Sequence, residues 1–171
     1  MSRLPLPTRC VLVAGAAALL AAAPAAAQTA APPQAPSKGD VVPEFETLGM
    51  DNKPWKVDFP KGSKTVLLFF LSGCPHCHKM IPEWNRAYER RPKGLKVLGV
   101  IMDPDQAPAS YWATTSIVFP VLRSPGREFL RGLKANRAPL TLRVGEGGTI
   151  EDLGLGEIDP IRLGELFAPV K

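Results

Sequence analysis

At 171 residues the chain is long enough for one compact domain and short for two. Its 45% hydrophobic and 22% charged content is that of a globular protein, which excludes disorder along the whole length. Lys+Arg 21 against Asp+Glu 16 leave a net charge of +5, too mild and too scattered for a nucleic-acid partner, and three cysteines are too few for a disulfide scaffold.

The first residues read as an address. Residues 1–9 carry Arg3 and Arg9 and no acid; Cys10 to Ala23 is small and apolar; Ala25-Ala26-Ala27 is the small-residue pattern of a cleavage site. The expectation is a signal peptide over 1–27 and a periplasmic destination. The other reading, an uncleaved anchor, is disfavoured by a short apolar core rich in weakly hydrophobic Ala. No run in the body of the chain is long and apolar enough to span a bilayer, so no stable membrane insertion is expected after cleavage. Residues 28–39, QTAAPPQAPSKG, are Ala/Pro-rich and read as an extended linker, which leaves 40–171 as the domain.

Within the domain, Val41 to Phe45 and Trp55 to Phe59 flank the polar stretch Met50 to Pro54, which predicts a leading β-hairpin. Thr65 to Leu71 is a continuous apolar run, the signature of a strand buried on both faces. A helix is predicted from Pro75 to Arg90, with Met80, Ile81, Trp84, Ala87 and Tyr88 on one face and a kink at Pro82. Leu95 to Ile101 is a second buried strand, and strand, helix, strand at this spacing is a parallel crossover. Residues 105–115 predict another helix, Phe119 to Leu122 a short strand or turn, and Pro125 to Leu133 a short helix. Arg127, Arg131 and Lys134 then share one exposed face, either simply solvated or a docking surface. Leu140 to Val144 and Thr149 to Leu153 form a hairpin around Gly147-Gly148. Asp159-Pro160 caps a last helix through Phe167. Trp84, Tyr111 and Trp112 are expected in the core.

The chemistry concentrates in Cys74-Pro75-His76-Cys77, placed between a buried strand and a helix start. In an oxidising compartment a lone CxxC is a structural clip or a redox centre. A clip closing so short a loop removes little unfolded-state entropy, which favours the redox role. At the helix N-terminus, free N–H groups and the macrodipole favour a thiolate on Cys74, while Cys77 lies one turn in and more buried. Cys74 then attacks and Cys77 resolves. His76, beside Cys74, is expected to support the thiolate. His78 follows on the same side of the helix. With Cys74, Cys77 and His76 it offers the other reading, a copper or metal-binding chaperone module.

The stretch GCPHCHKMIP resembles the active site of the thioredoxin superfamily, and its Pro-His dipeptide resembles that of DsbA-type oxidants. Signal, leading hairpin and strand–CxxC–helix together resemble the exported TlpA/ResA-like group over about residues 40–168. Pro82 matches the family's helix-kinking proline and Ala138-Pro139 its cis-proline site. The resemblance implies an α/β thioredoxin-like fold, a central mixed sheet flanked by helices, with an N-terminal β-hairpin extension. It implies a thiol–disulfide oxidoreductase without cofactor that acts on protein thiols and disulfides and is served by a membrane or periplasmic redox partner. It assigns Cys74, Cys77, His76, Pro75 and Pro139 to catalysis, and Ala138 with Pro139 to peptide docking. Three positions depart from the family: Gly73 replaces the usual Trp, and Leu68 and Met80 stand where relatives place carboxylates for the second cysteine. Cys77 therefore lacks either familiar carboxylate, and the disulfide is expected to be more oxidising than that of thioredoxin.

Overall fold

The structure is a computed structural model and describes residues 35–107 and 109–169. The proposed signal segment and most of the linker lie outside the described residues. The chain is already held to the body before Asp40. The Gly39 N–H donates to the Ile150 carbonyl at 2.9 Å, and Pro36 is buried.

The leading hairpin consists of β1 (Phe45–Leu48) and β2 (Pro54–Val57), paired antiparallel. Its turn needs a left-handed residue, and Asn52 supplies it with φ 60°. The apolar run forms β3 (Lys64–Phe70), followed by α1 (Pro75–Glu89) and β4 (Leu95–Ile101). Then come α2 (Ala109–Thr114), β5 (Val121–Arg123), α3 (Arg127–Gly132), β6 (Leu140–Val144), β7 (Ile150–Leu155) and α4 (Pro160–Leu166). The helix expected over 105–115 starts later, because the Gln106 N–H closes a turn onto the Asp103 carbonyl instead.

One five-stranded sheet runs in the order β5-β4-β3-β6-β7. β4 pairs parallel with β3 and β5 with β4, whereas β6 and β7 are antiparallel. β3 therefore lies in the middle of a mixed sheet. Its six residues from Thr65 to Phe70 are all buried, which explains the unbroken apolar run.

Strand alternation divides this run between two cores. Leu67 and Phe69 join Leu98, Val100, Leu140 and Leu142 on the face covered by the hairpin and α3. Val66, Leu68 and Phe70 join Met80, Ile81, Trp84, Tyr111, Leu163 and Leu166 on the face covered by α1, α2 and α4. Trp84 is wholly buried and its indole N–H donates to Thr141 Oγ1 at 3.2 Å, so its one polar atom is satisfied. Pro82 lies inside α1 and has no N–H to offer the carbonyl four residues back. Trp112 is only partly buried and packs edge-on against Tyr111.

Sheet register places the ends of the strands. In the parallel pair Phe70 faces Ile101, so two residues further on Ser72 comes level with Asp103. In the antiparallel pair Phe69 faces Leu140, which brings the preceding Ala138-Pro139 to the same end of β3.

Candidate functional site

That end of β3 carries the CxxC segment. The Cys74 N–H donates to the Leu71 carbonyl at 3.3 Å, closing a turn, and Cys74 becomes the N-cap of α1 with Pro75 at its first position. Proline suits that place because the N–H it lacks would have no helical partner. Cys74 Sγ accepts the Cys77 N–H at 3.3 Å. Across the site, Cys74 Sγ lies 3.8 Å from the Ala138 carbonyl, to which its thiol donates a weak hydrogen bond. The Ala138–Pro139 bond is cis, as the family resemblance implied. Gly73 leaves open space where a larger residue would stand beside the sulfur.

The two sulfurs occupy opposite environments. Cys74 is half-buried, while Cys77 is fully buried under α1. The two residues come within 2.9 Å of each other as free cysteines. Burial pushes the Cys77 thiol up to about 12. Its hydrogen bond with Cys74 adds to this, as do the nearby charges of Cys74 and Asp103.

Asp103 was not singled out by sequence. Leu68 and Met80 are buried apolar residues, so Cys77 lacks either familiar carboxylate, but the fold brings the charge of another acid near it. The carboxylate comes from the far end of β4. Asp103 accepts the Ser72 N–H at 2.8 Å and the Ser72 hydroxyl at 2.7 Å, which fixes it behind the CxxC turn. Its negative charge acts against a thiolate on Cys77. Tyr111 belongs to the same cluster: its hydroxyl is buried, with Thr115 beside it. Burial, then the charges of Cys77 and Asp103, push it up to about 12. The only sequence signal for Asp103 was its place just past a buried parallel strand, where the ends of such strands gather sites.

The histidines turn elsewhere. His76 is exposed, and its Nδ1 faces Glu157 in the loop between β7 and α4. Lys79 reaches the same carboxylate at 3.1 Å. His76, then Lys79, hold Glu157 below the usual carboxylate range. His76, expected to support the Cys74 thiolate, is thus also paired with an acid. His78 Nε2 bonds the Ser72 carbonyl at 2.7 Å, and its ring lies against Tyr111. Among the described residues no group of three or more His, Cys, Asp or Glu is arranged to hold a metal ion. Of the donors of the metal reading, His76 pairs with Glu157 and His78 with the Ser72 carbonyl, while Cys74 and Cys77 hydrogen-bond each other.

The arrangement can carry out thiol–disulfide exchange. An accessible sulfur at a helix start sits beside a backbone carbonyl, and a buried sulfur waits one turn behind it. Comparison with known proteins agrees with this chemistry. The sporulation thiol-disulfide oxidoreductase A of Bacillus subtilis is 26% identical over 110 residues, 61% of this chain and 67% of that protein. The crystal structure of StoA from Bacillus subtilis superimposes with a TM-score of 0.63 at 21% identity, covering 74% of this chain and 97% of that one. A secreted Mycobacterium tuberculosis disulfide oxidoreductase, homologous to E. coli DsbE, superimposes at 0.60 with 15% identity over 72% of this chain and 93% of that one. The Redoxin family model matches residues 37–162, a span holding both the CxxC turn and the cis-proline, and the chain belongs to the Redoxin family with a thioredoxin-like fold.

Proposed function

We propose that this protein is exported and exchanges disulfides with protein substrates through the Cys74-Pro75-His76-Cys77 dithiol. As an enzyme it is a thioredoxin-like thiol–disulfide oxidoreductase. The observation that carries the finer reading is the placement of Cys74 Sγ, 3.8 Å from the carbonyl before cis-Pro139, with Cys77 buried behind it. The export reading rests on the pattern of residues 1–27 and on the secreted character of the Mycobacterium relative.

In the oxidising direction a substrate thiolate attacks Cys74 Sγ of the Cys74–Cys77 disulfide. The S–S bond breaks, Cys77 leaves as a thiolate and takes up a proton, and a mixed disulfide joins Cys74 to the substrate. A second substrate thiolate attacks the substrate sulfur and releases Cys74. The substrate gains a disulfide and the protein is left as a dithiol, two electrons reduced. In the reducing direction the Cys74 thiolate attacks a substrate disulfide, and Cys77 loses its proton and resolves the intermediate. Ala138 and Pro139 hold the substrate backbone beside Cys74 in either direction. The Ala138 carbonyl is the acceptor for a substrate N–H, since its present partner, a thiol, is a weak donor. Pro75 sets the helix start, and His76 with Glu157 forms the polar rim.

Trapping tests the assignment. Cys77→Ser should accumulate a mixed disulfide through Cys74 with a cysteine-containing peptide, and Cys74→Ser should accumulate none. The reverse pattern would exchange the two roles, and no adduct in either variant would remove the activity.

A further inference from the structure

Beside the CxxC turn, on the α3 face of the sheet, the surface opens into a groove of about 610 Å³. Its floor is apolar: Leu71, Met102, Leu130 and Ala135. Its rim is cationic: Arg127, Arg131 and Lys134. The groove borders the segments that carry the reactive sulfur and the cis-proline. Leu71 accepts the Cys74 N–H through its carbonyl, and Asn136 on the groove wall stands two residues before Ala138. At roughly 3.3–3.6 Å per residue, two residues span about 7 Å, so an extended chain lying on Ala138 reaches the groove within two or three of its own residues.

Two of the three rim charges have no acidic partner among the described residues. Lys134 bonds Asp40 at 3.2 Å, but Arg127 and Arg131 are exposed and form no ion pair among the described residues. They stand four apart on one helix face, where like charges repel. Lys134 holds a left-handed backbone, φ 59°, at the helix end. There its N–H bonds the Arg131 carbonyl and the Ala135 N–H bonds the Leu130 carbonyl. Glycine is the usual occupant of such a position, yet a lysine stands there, its charge met by Asp40, so Arg127 and Arg131 carry the open charge of the rim.

We propose that this groove docks the acidic segment of a protein substrate that flanks its reactive cysteine, with an apolar side chain of the substrate on the floor and carboxylates against Arg127 and Arg131. The proposal rests on the exchange reading above and names the class of substrate that reading takes. A rim of this kind acts mainly on association rate and discrimination, and its effect falls with ionic strength.

Two peptides test it, each with one cysteine in mixed disulfide with β-mercaptoethanol and identical except for Asp/Glu or Lys at the flanking positions. Hydroxyethyl disulfide serves as a small uncharged control. The reduced wild-type protein should attack the acidic peptide about tenfold faster than the basic one at low salt, a preference that shrinks at high salt. Arg127→Glu with Arg131→Glu should abolish or invert the preference and leave the rate with hydroxyethyl disulfide unchanged. Equal rates for the two peptides in the wild type, or a preference that survives the double substitution, would overturn the groove and leave the exchange reading standing. Absence of reaction with hydroxyethyl disulfide as well would overturn the exchange reading and the docking with it.

Discussion

The two faces of the sheet differ in how they are closed. Under α1, α2 and α4 the packing is tight: Trp84, Leu68, Phe70 and Cys77 are all without exposed surface. On the other face, the hairpin covers one end, and α3, which buries none of its own residues, covers the rest loosely through Phe129 and Leu130. The same alternation that divides β3 between two cores continues past its end. Leu71 and Met102 fall on the open face and floor a groove, while Ser72 and Asp103 fall behind the CxxC turn. The closed face protects a thiol from ionising, and the open face offers surface to a partner. Chemistry and recognition are thus separated by one residue in each strand.

This contrast should be largest in stability. Trp84→Ala leaves a cavity in the closed face and strands the Thr141 hydroxyl, with an expected loss of about 3–5 kcal/mol. Leu130→Ala, on the loosely covered face, should cost under about 2 kcal/mol because the side chain is only partly removed from water. Equilibrium urea unfolding of both variants measures this, and equal losses would break the contrast.

A smaller effect is expected at the buried thiol. Asp103→Asn keeps an acceptor for Ser72 but removes the negative charge, so Cys77 in the reduced protein should titrate somewhat lower, burial remaining the main cause of its raised value. The ultraviolet absorbance of the thiolate follows this directly. The sign for stability follows from the raised value. Reduced Cys77 contributes stability that is fully present below the ordinary thiol value of about 8.5. That contribution is lost as pH rises toward about 12. The variant should narrow that alkaline window. An unchanged titration would mean that Asp103 only fixes the turn.

The smallest effect belongs to the seam between the faces. Asp152 on β7 accepts from Arg162 of α4 at 2.7 Å and from Lys38 of the N-terminal segment at 2.8 Å. Arg162 foremost holds the Asp152 carboxyl below the usual range. Its contribution is therefore present above the unfolded value of about 3.9 and is lost as pH falls through the lower folded value. Arg162→Ala should cost about 0.2–1 kcal/mol near neutrality. It should also flatten the acid limb of a stability–pH curve obtained from urea midpoints.

Much of this was legible in the residues. The run TVLLFFL announced a strand covered on both sides, because only such a strand can afford no polar alternation. The spacing of Met80, Ile81 and Trp84 announced the buried face of α1. Cys74 before Pro75 announced a helix start with a sulfur at its cap. Each of these depends on neighbours within a few positions, where periodicity and backbone sterics act. The pairing of His76 was not legible, because its partner, Glu157, is 81 positions away. Nothing local distinguishes a histidine that supports a thiolate from one drawn to a distant carboxylate.

By itself the sequence determined the elements, the two-sided burial of the central strand, and the cysteine pair at a helix start, since local geometry and hydrophobic period decide these. Tertiary structure alone decided which side chains meet. The β3–β4 register sets Asp103 level with Ser72 and so provides Cys77 with a carboxylate that neither Leu68 nor Met80 offers. The β3–β6 register sets the Ala138 carbonyl beside Cys74. Packing of α3 on the open face sets its basic face, already legible in the sequence, along an apolar floor supplied by Leu71 and Met102. Register is a choice among pairings of similar backbone hydrogen bonding, settled by burial over the whole sheet, and for that reason it is written in no single segment of the chain.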